Sequence, residues 1–119
     1  QIRALDDDLF QNLNAISEIK FADNELTSVP ATCLRDIRRT IKVIYLQDNK
    51  LTHFSFNLVH ELPVLEVLWL QNNLLSDISS ISDVALPRLT KLILIDNKLA
   101  VLPSLVAMPL LEEINCNRN

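Results

Sequence analysis

The sequence of 119 residues predicts an α/β solenoid with parallel strands. Two observations carry that reading. One apolar frame recurs along the chain: Ile16, Ile19, Phe21, Leu26, then Ile41, Ile44, Leu46, Leu51, then Leu65, Leu68, Leu70, Leu75, then Leu89, Leu92, Leu94, Leu99, and lastly Leu111, Ile114, Cys116. An asparagine closes each copy, at Asn24, Asn49, Asn73, Asn97 and Asn119. Self-similarity at a period of about 20 to 29 residues marks stacked repeats rather than one globular core. The chain reads as a single domain, 1–119, of five repeats at about 1–24, 25–49, 50–73, 74–97 and 98–119.

The spacing of these residues resembles the L-x-x-L-x-L-x-x-N-x-L frame of the leucine-rich repeat family, and five registered copies cover nearly the whole chain. The resemblance implies a curved solenoid whose parallel sheet lines the concave side, with short helices and turns on the convex side. It also implies a scaffold or recognition module rather than an enzyme.

Element by element, residues 5–13 place Leu5, Leu9, Phe10 and Leu13 at helical spacing, with Asp6, Asp7 and Asp8 at the positive end of a short helix. Alternation around the second and third apolar positions predicts strands at 18–22, 43–47, 67–71, 91–95 and 113–117. Each crossover returns the chain in the same direction, so the strands pair in parallel, roughly 4.8 Å apart. Residues 33–41 put Leu34, Ile37 and Ile41 on one face of a second helix, with Arg35, Arg38 and Arg39 elsewhere. Pro63, Pro87 and Pro109 each precede a first-position leucine by two residues, where they end the crossover. The asparagines are structural: a short amide bonds backbone groups left unpaired where the chain leaves the strand.

Composition narrows the function. The chain has no glycine, which excludes the usual phosphate-cradling loop, dinucleotide fingerprint and nucleophile elbow. A net charge of −4 opposes nucleic acid and anionic membrane, and favours a protein partner. No apolar run approaches the roughly 18 residues that span a bilayer, and no charged-then-apolar signal segment opens the chain. The chain begins inside one repeat and stops at the asparagine of another without polar caps, so it reads as an excerpt of a longer array.

Candidate binding residues are those that packing leaves unexplained. The outward positions of the strands read Lys20, Tyr45, Trp69, Ile93, Asn115 in the centre. They are flanked by Glu18, Val43, Val67, Lys91, Glu113 and by Ala22, Gln47, Gln71, Ile95, Asn117. The only tyrosine and only tryptophan thus share an exposed apolar patch with Val43, Val67, Ile93 and Ile95, rimmed by Lys20, Gln47, Gln71 and Lys91. Aromatic anchors inside a polar rim have the anatomy of an interface hot spot.

Other clusters read as structural. Asp23, Asp48, Asn72 and Asp96 line the strand exits, where turn chemistry accounts for them better than a cation site. Arg35, Arg38, Arg39 and Lys42 form a solvated basic face. His53 and His60, near Phe54 and Phe56, lack metal-ligand spacing and read as partly buried structural residues. Ser76, Ser79, Ser80 and Ser82 have no histidine base in register, so no catalytic, metal or cofactor site is expected.

Cys33 and Cys116 lie about three rungs apart, on the order of 14 Å, beyond the roughly 7 Å reach of a disulfide. Both are expected as free thiols, with Cys116 in the core. Free thiols and the lack of an N-x-S/T acceptor lean toward a reducing compartment. The Leu9, Phe10, Leu13 pattern resembles repeats common in extracellular members of the family, and residues 97–111 a shorter type frequent inside cells, so both compartments stay open. Two alternatives stand beside partner binding on the concave face: an assembly segment that stacks on neighbouring repeats or on a second copy through uncapped ends, and a regulatory or targeting segment of a larger enzyme.

Overall fold

A computed structural model of the protein describes residues 1–54 and 62–119. The described chain winds into about four turns of a parallel β-solenoid. Its strands are β1 (Glu18–Lys20), β2 (Val43–Tyr45), β3 (Val67–Trp69), β4 (Lys91–Ile93) and β5 (Glu113–Asn115). They form one sheet in sequence order, every neighbouring pair parallel. The register is the one the repeat frame requires: Ile19 stands beside Ile44, Ile44 beside Leu68, Leu68 beside Leu92, and Leu92 beside Ile114.

Each strand is three residues long, shorter than the five that alternation predicts, but its pairing runs further. The Phe21 N–H donates to Tyr45 O and the Asp23 N–H to Gln47 O, a pattern repeated by Leu46 and Asp48, Leu70 and Asn72, and Leu94 and Asp96. What ends it is backbone conformation. Asp23, Asp48, Asn72, Asp96 and Arg118 have φ between 53° and 58°, in the left-handed region. That region is disfavoured for residues with a Cβ, and short Asp and Asn side chains tolerate it best. In a chain without glycine these residues make the corner.

The next residue is the ladder asparagine. Asn73 Nδ2 donates to Leu70 O at 3.1 Å and Gln71 O at 3.3 Å in its own rung, and to Leu46 O at 3.0 Å in the preceding one. Asn73 Oδ1 accepts the Leu51 N–H at 2.9 Å. Asn49, Asn97 and Asn119 repeat this set with the rungs before them. Asn24 bonds Phe21 O and Ala22 O and accepts the Ile2 N–H. Burying an amide is tolerable only when it is so paired, and Asn49, Asn73 and Asn97 are buried.

Between the sheet and the crossovers lies one apolar core. The central inward residues of the middle rungs, Ile44, Leu68 and Leu92, are wholly buried together with Leu46, Leu70 and Leu94. At the ends Ile16, Leu111, Ile114 and Cys116 are only partly covered.

The crossovers correct the expected helices. Residues 5–13 form successive turns, closed by Leu9 N–H to Asp6 O, Gln11 N–H to Asp8 O and Leu13 N–H to Phe10 O, each spanning three residues. Asn12, at φ 63°, breaks any continuation as a helix. In place of a helix over 33–41 there is a 3-10 segment, Ala31–Leu34, followed by turns. Ser79–Asp83 is a second 3-10 segment. The geometry explains the preference, since an α-helix with its side chains is about 10–12 Å wide while neighbouring strands are about 4.8 Å apart. The expected prolines do close turns: Leu65 N–H bonds Leu62 O, Leu89 N–H bonds Leu86 O, and Leu111 N–H bonds Met108 O, with Pro63, Pro87 and Pro109 second in each turn.

Candidate functional site

The outward face of the sheet holds the most organised group of side chains that the core does not account for. Strand alternation points Lys20, Tyr45, Trp69, Ile93 and Asn115 to this face, and the observed register aligns them in one column. The Tyr45 and Trp69 rings stack at 6.3 Å between centroids and 10° between planes. Lys20 Nζ lies 5.6 Å from the Tyr45 centroid, and Lys91 Nζ lies 5.7 Å from the Trp69 centroid. Two stacked rings are thus bracketed by two ammonium groups within cation–π reach.

Each cation has an anionic partner. Lys20 Nζ is 2.6 Å from Glu18 Oε1, and Lys91 Nζ is 3.0 Å from Glu113 Oε2. Glu18 raises the Lys20 pKa, mainly by its hydrogen bond and then by its charge. Glu18 and Glu113 belong to the site, although sequence reasoning treats them only as neighbours. Their signal is opposite charge two residues apart on one face, and opposite charge in register across β4 and β5.

The expected exposed patch is corrected in one place and qualified in others. Ile93 is buried, with 3% of its surface accessible, and its neighbours in register are Trp69 and Asn115. It lies outside the main core cluster, between Trp69 and Asn115 in the outward column. Tyr45, Trp69, Val43, Val67, Ile95, Gln47, Gln71 and Lys91 are half-buried, and Lys20 is exposed. Among the described residues, Gln47 Oε1 and Gln71 Oε1 are buried side-chain acceptors without a hydrogen bond. They occupy neighbouring rungs, two residues beyond Tyr45 and Trp69.

The family models, curated proteins and solved structures compared with the chain give no match.

Elsewhere the side chains are engaged structurally or dispersed. Along the strand exits, Asn72 Nδ2 donates to Asp48 Oδ1 at 2.7 Å, and Arg118 binds both Asp96 oxygens at 2.6 Å. The Asp96 carboxyl is held below its usual range, first by the Arg118 hydrogen bond. Among the described residues no group of three or more His, Cys, Asp or Glu is placed to hold a metal ion, and no helix is long and apolar enough to cross a membrane. Arg35, Arg39 and Lys42 are exposed and Arg38 is half-buried.

His53 is exposed rather than partly buried, with Nδ1 3.1 Å from Thr52 Oγ1; Phe54 is buried, while His60 and Phe56 lie outside the described residues. Ser80 and Ser82 donate to the carbonyls of Phe54 and Ser104. Both cysteines are free thiols, but Cys116 is only partly covered, because no described rung lies beyond it. Burial, with a smaller contribution from Asp7, pushes the Cys33 thiol up to about 11. Cys33 borders an open polar cleft of about 290 Å³ lined by Asp7, Asp8, Gln11, Thr32, Arg35 and Asp36.

Proposed function

We propose that the chain is a non-enzymatic protein-interaction module of the leucine-rich repeat type, which holds a protein partner on the concave, outward face of its sheet. The observation that carries this reading is the stacked Tyr45–Trp69 pair bracketed by Lys20 and Lys91. Large, rigid rings already ordered against each other lose little freedom on binding, and aromatic anchors supply much of the energy at protein interfaces. Val43 and Val67 extend the apolar surface along the neighbouring column.

Gln47 and Gln71 support the same reading. A buried acceptor without a partner costs roughly 1–3 kcal/mol. Side-chain rotation that brings these oxygens to donors of a partner relieves that cost. The leucine-rich repeat assignment rests on the five-copy frame, the shared strand register and the asparagine ladder.

The test is a comparison of proteins retained by the unmodified chain and by a Tyr45→Ala, Trp69→Ala double variant. The double variant should keep its fold and lose a defined partner, with affinity weaker by about 2 kcal/mol or more. Equal retention of every bound protein by both chains removes the site from this face.

A further inference from the structure

Gln47 and Gln71 stand on adjacent rungs in the middle of the array, each with a fixed base and a free head. Their backbone carbonyls are held: Gln47 O accepts from the Asp23 N–H and from Asn49 Nδ2 at 3.2 Å, and Gln71 O from the Asp48 N–H and from Asn73 Nδ2 at 3.3 Å. Their side-chain oxygens are not. Among the described residues neither Oε1 accepts a hydrogen bond, although both atoms are buried. Turning either oxygen outward therefore breaks no bond to it and lets an unmet acceptor reach a donor.

The surroundings specify that donor. Tyr45 and Trp69 cover one face of each other's ring, and Lys20 and Lys91 lie over the opposite faces. A partner therefore meets ring edges here, and a planar group has no open ring face on which to stack. The two ammonium groups are already paired with Glu18 and Glu113, so they leave no net positive charge beside the rings. On the far side of the glutamines, the strand-exit row carries Asp23, Asp48 and Asp96. Arg118 binds Asp96, whereas Asp48 accepts only the neutral amide of Asn72, through Oδ1, among the described residues. Two neutral acceptors beside this carboxylate row, in a chain of net charge −4, are complementary to a cationic donor.

We infer that Gln47 and Gln71 together receive one arginine side chain from a basic segment of the partner protein. The inference rests on the partner face proposed above and names the chemistry that the face selects. Neighbouring rungs are roughly 4.8 Å apart, so both oxygens can turn onto a single guanidinium, whose planar fork offers several N–H donors in fixed directions and no acceptor. A lysine ammonium is a compact point charge without that match to a pair of acceptors. The edges of Tyr45 and Trp69, two residues before each glutamine, then flank the apolar stem of the arginine.

The test is an array of short peptides with one fixed central residue, arginine, lysine, glutamine or glutamate, and randomised flanks, probed with the purified chain. Arginine-centred peptides should dominate the bound set. The tightest of them should bind about tenfold or more weakly, read by fluorescence anisotropy, once its arginine is replaced by glutamine. A Gln47→Leu, Gln71→Leu variant should lose the same factor with an unchanged far-ultraviolet spectrum. A Gln47→Glu, Gln71→Glu variant should instead bind the arginine peptide more tightly and with greater sensitivity to salt, which a purely structural role for the glutamines would not produce. An array without preference for arginine, whose binding is still lost in the Tyr45→Ala, Trp69→Ala variant, overturns the arginine assignment and leaves the partner face standing. Peptide binding that survives the aromatic double variant unchanged overturns the face, and this inference with it.

Discussion

Asn73 Oδ1 accepts the Leu51 N–H at 2.9 Å, joining residues 22 apart in sequence at a buried corner where one rung meets the next. The same side chain donates to Leu46 O, Leu70 O and Gln71 O. Asn73→Ala leaves these buried groups unpaired and should lower stability by about 1–3 kcal/mol in urea melts. Asn14, which is exposed, supplies the control, and its alanine variant should melt within about 0.5 kcal/mol of the parent. Equal small losses at both positions would remove the ladder from the account of stability.

Asp23 has φ 58°, a conformation for which glycine has no steric penalty. Asp23→Gly should therefore be close to neutral, and Asp23→Val should cost about 1–2 kcal/mol. The order is opposite to that expected at an ordinary strand position, where valine is favoured and glycine is not. Valine as stable as glycine here would contradict the left-handed corner.

Trp69 is half-buried and stacked on Tyr45, so its fluorescence should be quenched by acrylamide more slowly than that of a free indole and more quickly than that of a core residue. Tyr45→Ala should increase the quenching rate. Trp69→Ala removes a half-buried ring outside the core cluster, so the variant should fold, with a loss of about 1–2 kcal/mol. Quenching that ignores Tyr45→Ala would show that the rings do not shield each other.

The Arg118–Asp96 pair gives stability a defined dependence on acid. Because Arg118 holds the folded Asp96 pKa below its unfolded value, the contribution is fully present above the unfolded pKa and is lost as pH falls through the folded one. Arg118→Gln should thus differ most from the parent near neutrality, and the two should converge in the acid range. The difference should also shrink with added salt, since the pair is exposed. A gap that stays constant into strong acid would assign the effect to something other than this pair.

Thiol reactivity should separate the cysteines. Cys33 is buried with its pKa pushed up to about 11, so little thiolate is present at neutral pH, whereas Cys116 is partly covered. Iodoacetamide should label Cys116 first in the folded chain, and both equally after denaturation. Preferential labelling of Cys33 under native conditions would contradict its burial.

The strand register is legible from the sequence because the pleat has a period of two: the rule that sends Leu68 and Leu70 inward sends Trp69 outward. The ladder is legible because asparagine stands in register where the frame turns. The crossover side is not. Leu5, Leu9, Phe10 and Leu13 match a helical stripe, but spacing alone does not register the left-handed Asn12 that breaks it. The burial of Ile93 is hidden for a different reason. Ile93 stands in register between Trp69 and Asn115 of neighbouring rungs, a relation between residues 24 and 22 positions away that local patterning does not contain.

Each strand touches only the strands beside it in sequence, and no distant pair among the described strands closes the array on itself. Opening one rung therefore releases only the rungs beside it, so the array can come apart stepwise rather than all at once. Amide exchange should grade with cover, slowest around the wholly buried Leu68 in β3 and faster near the partly covered Ile114. A defect at mid-array would act differently from the same defect near an extremity: it would divide one cooperative unit into two shorter ones, each with less to hold it together.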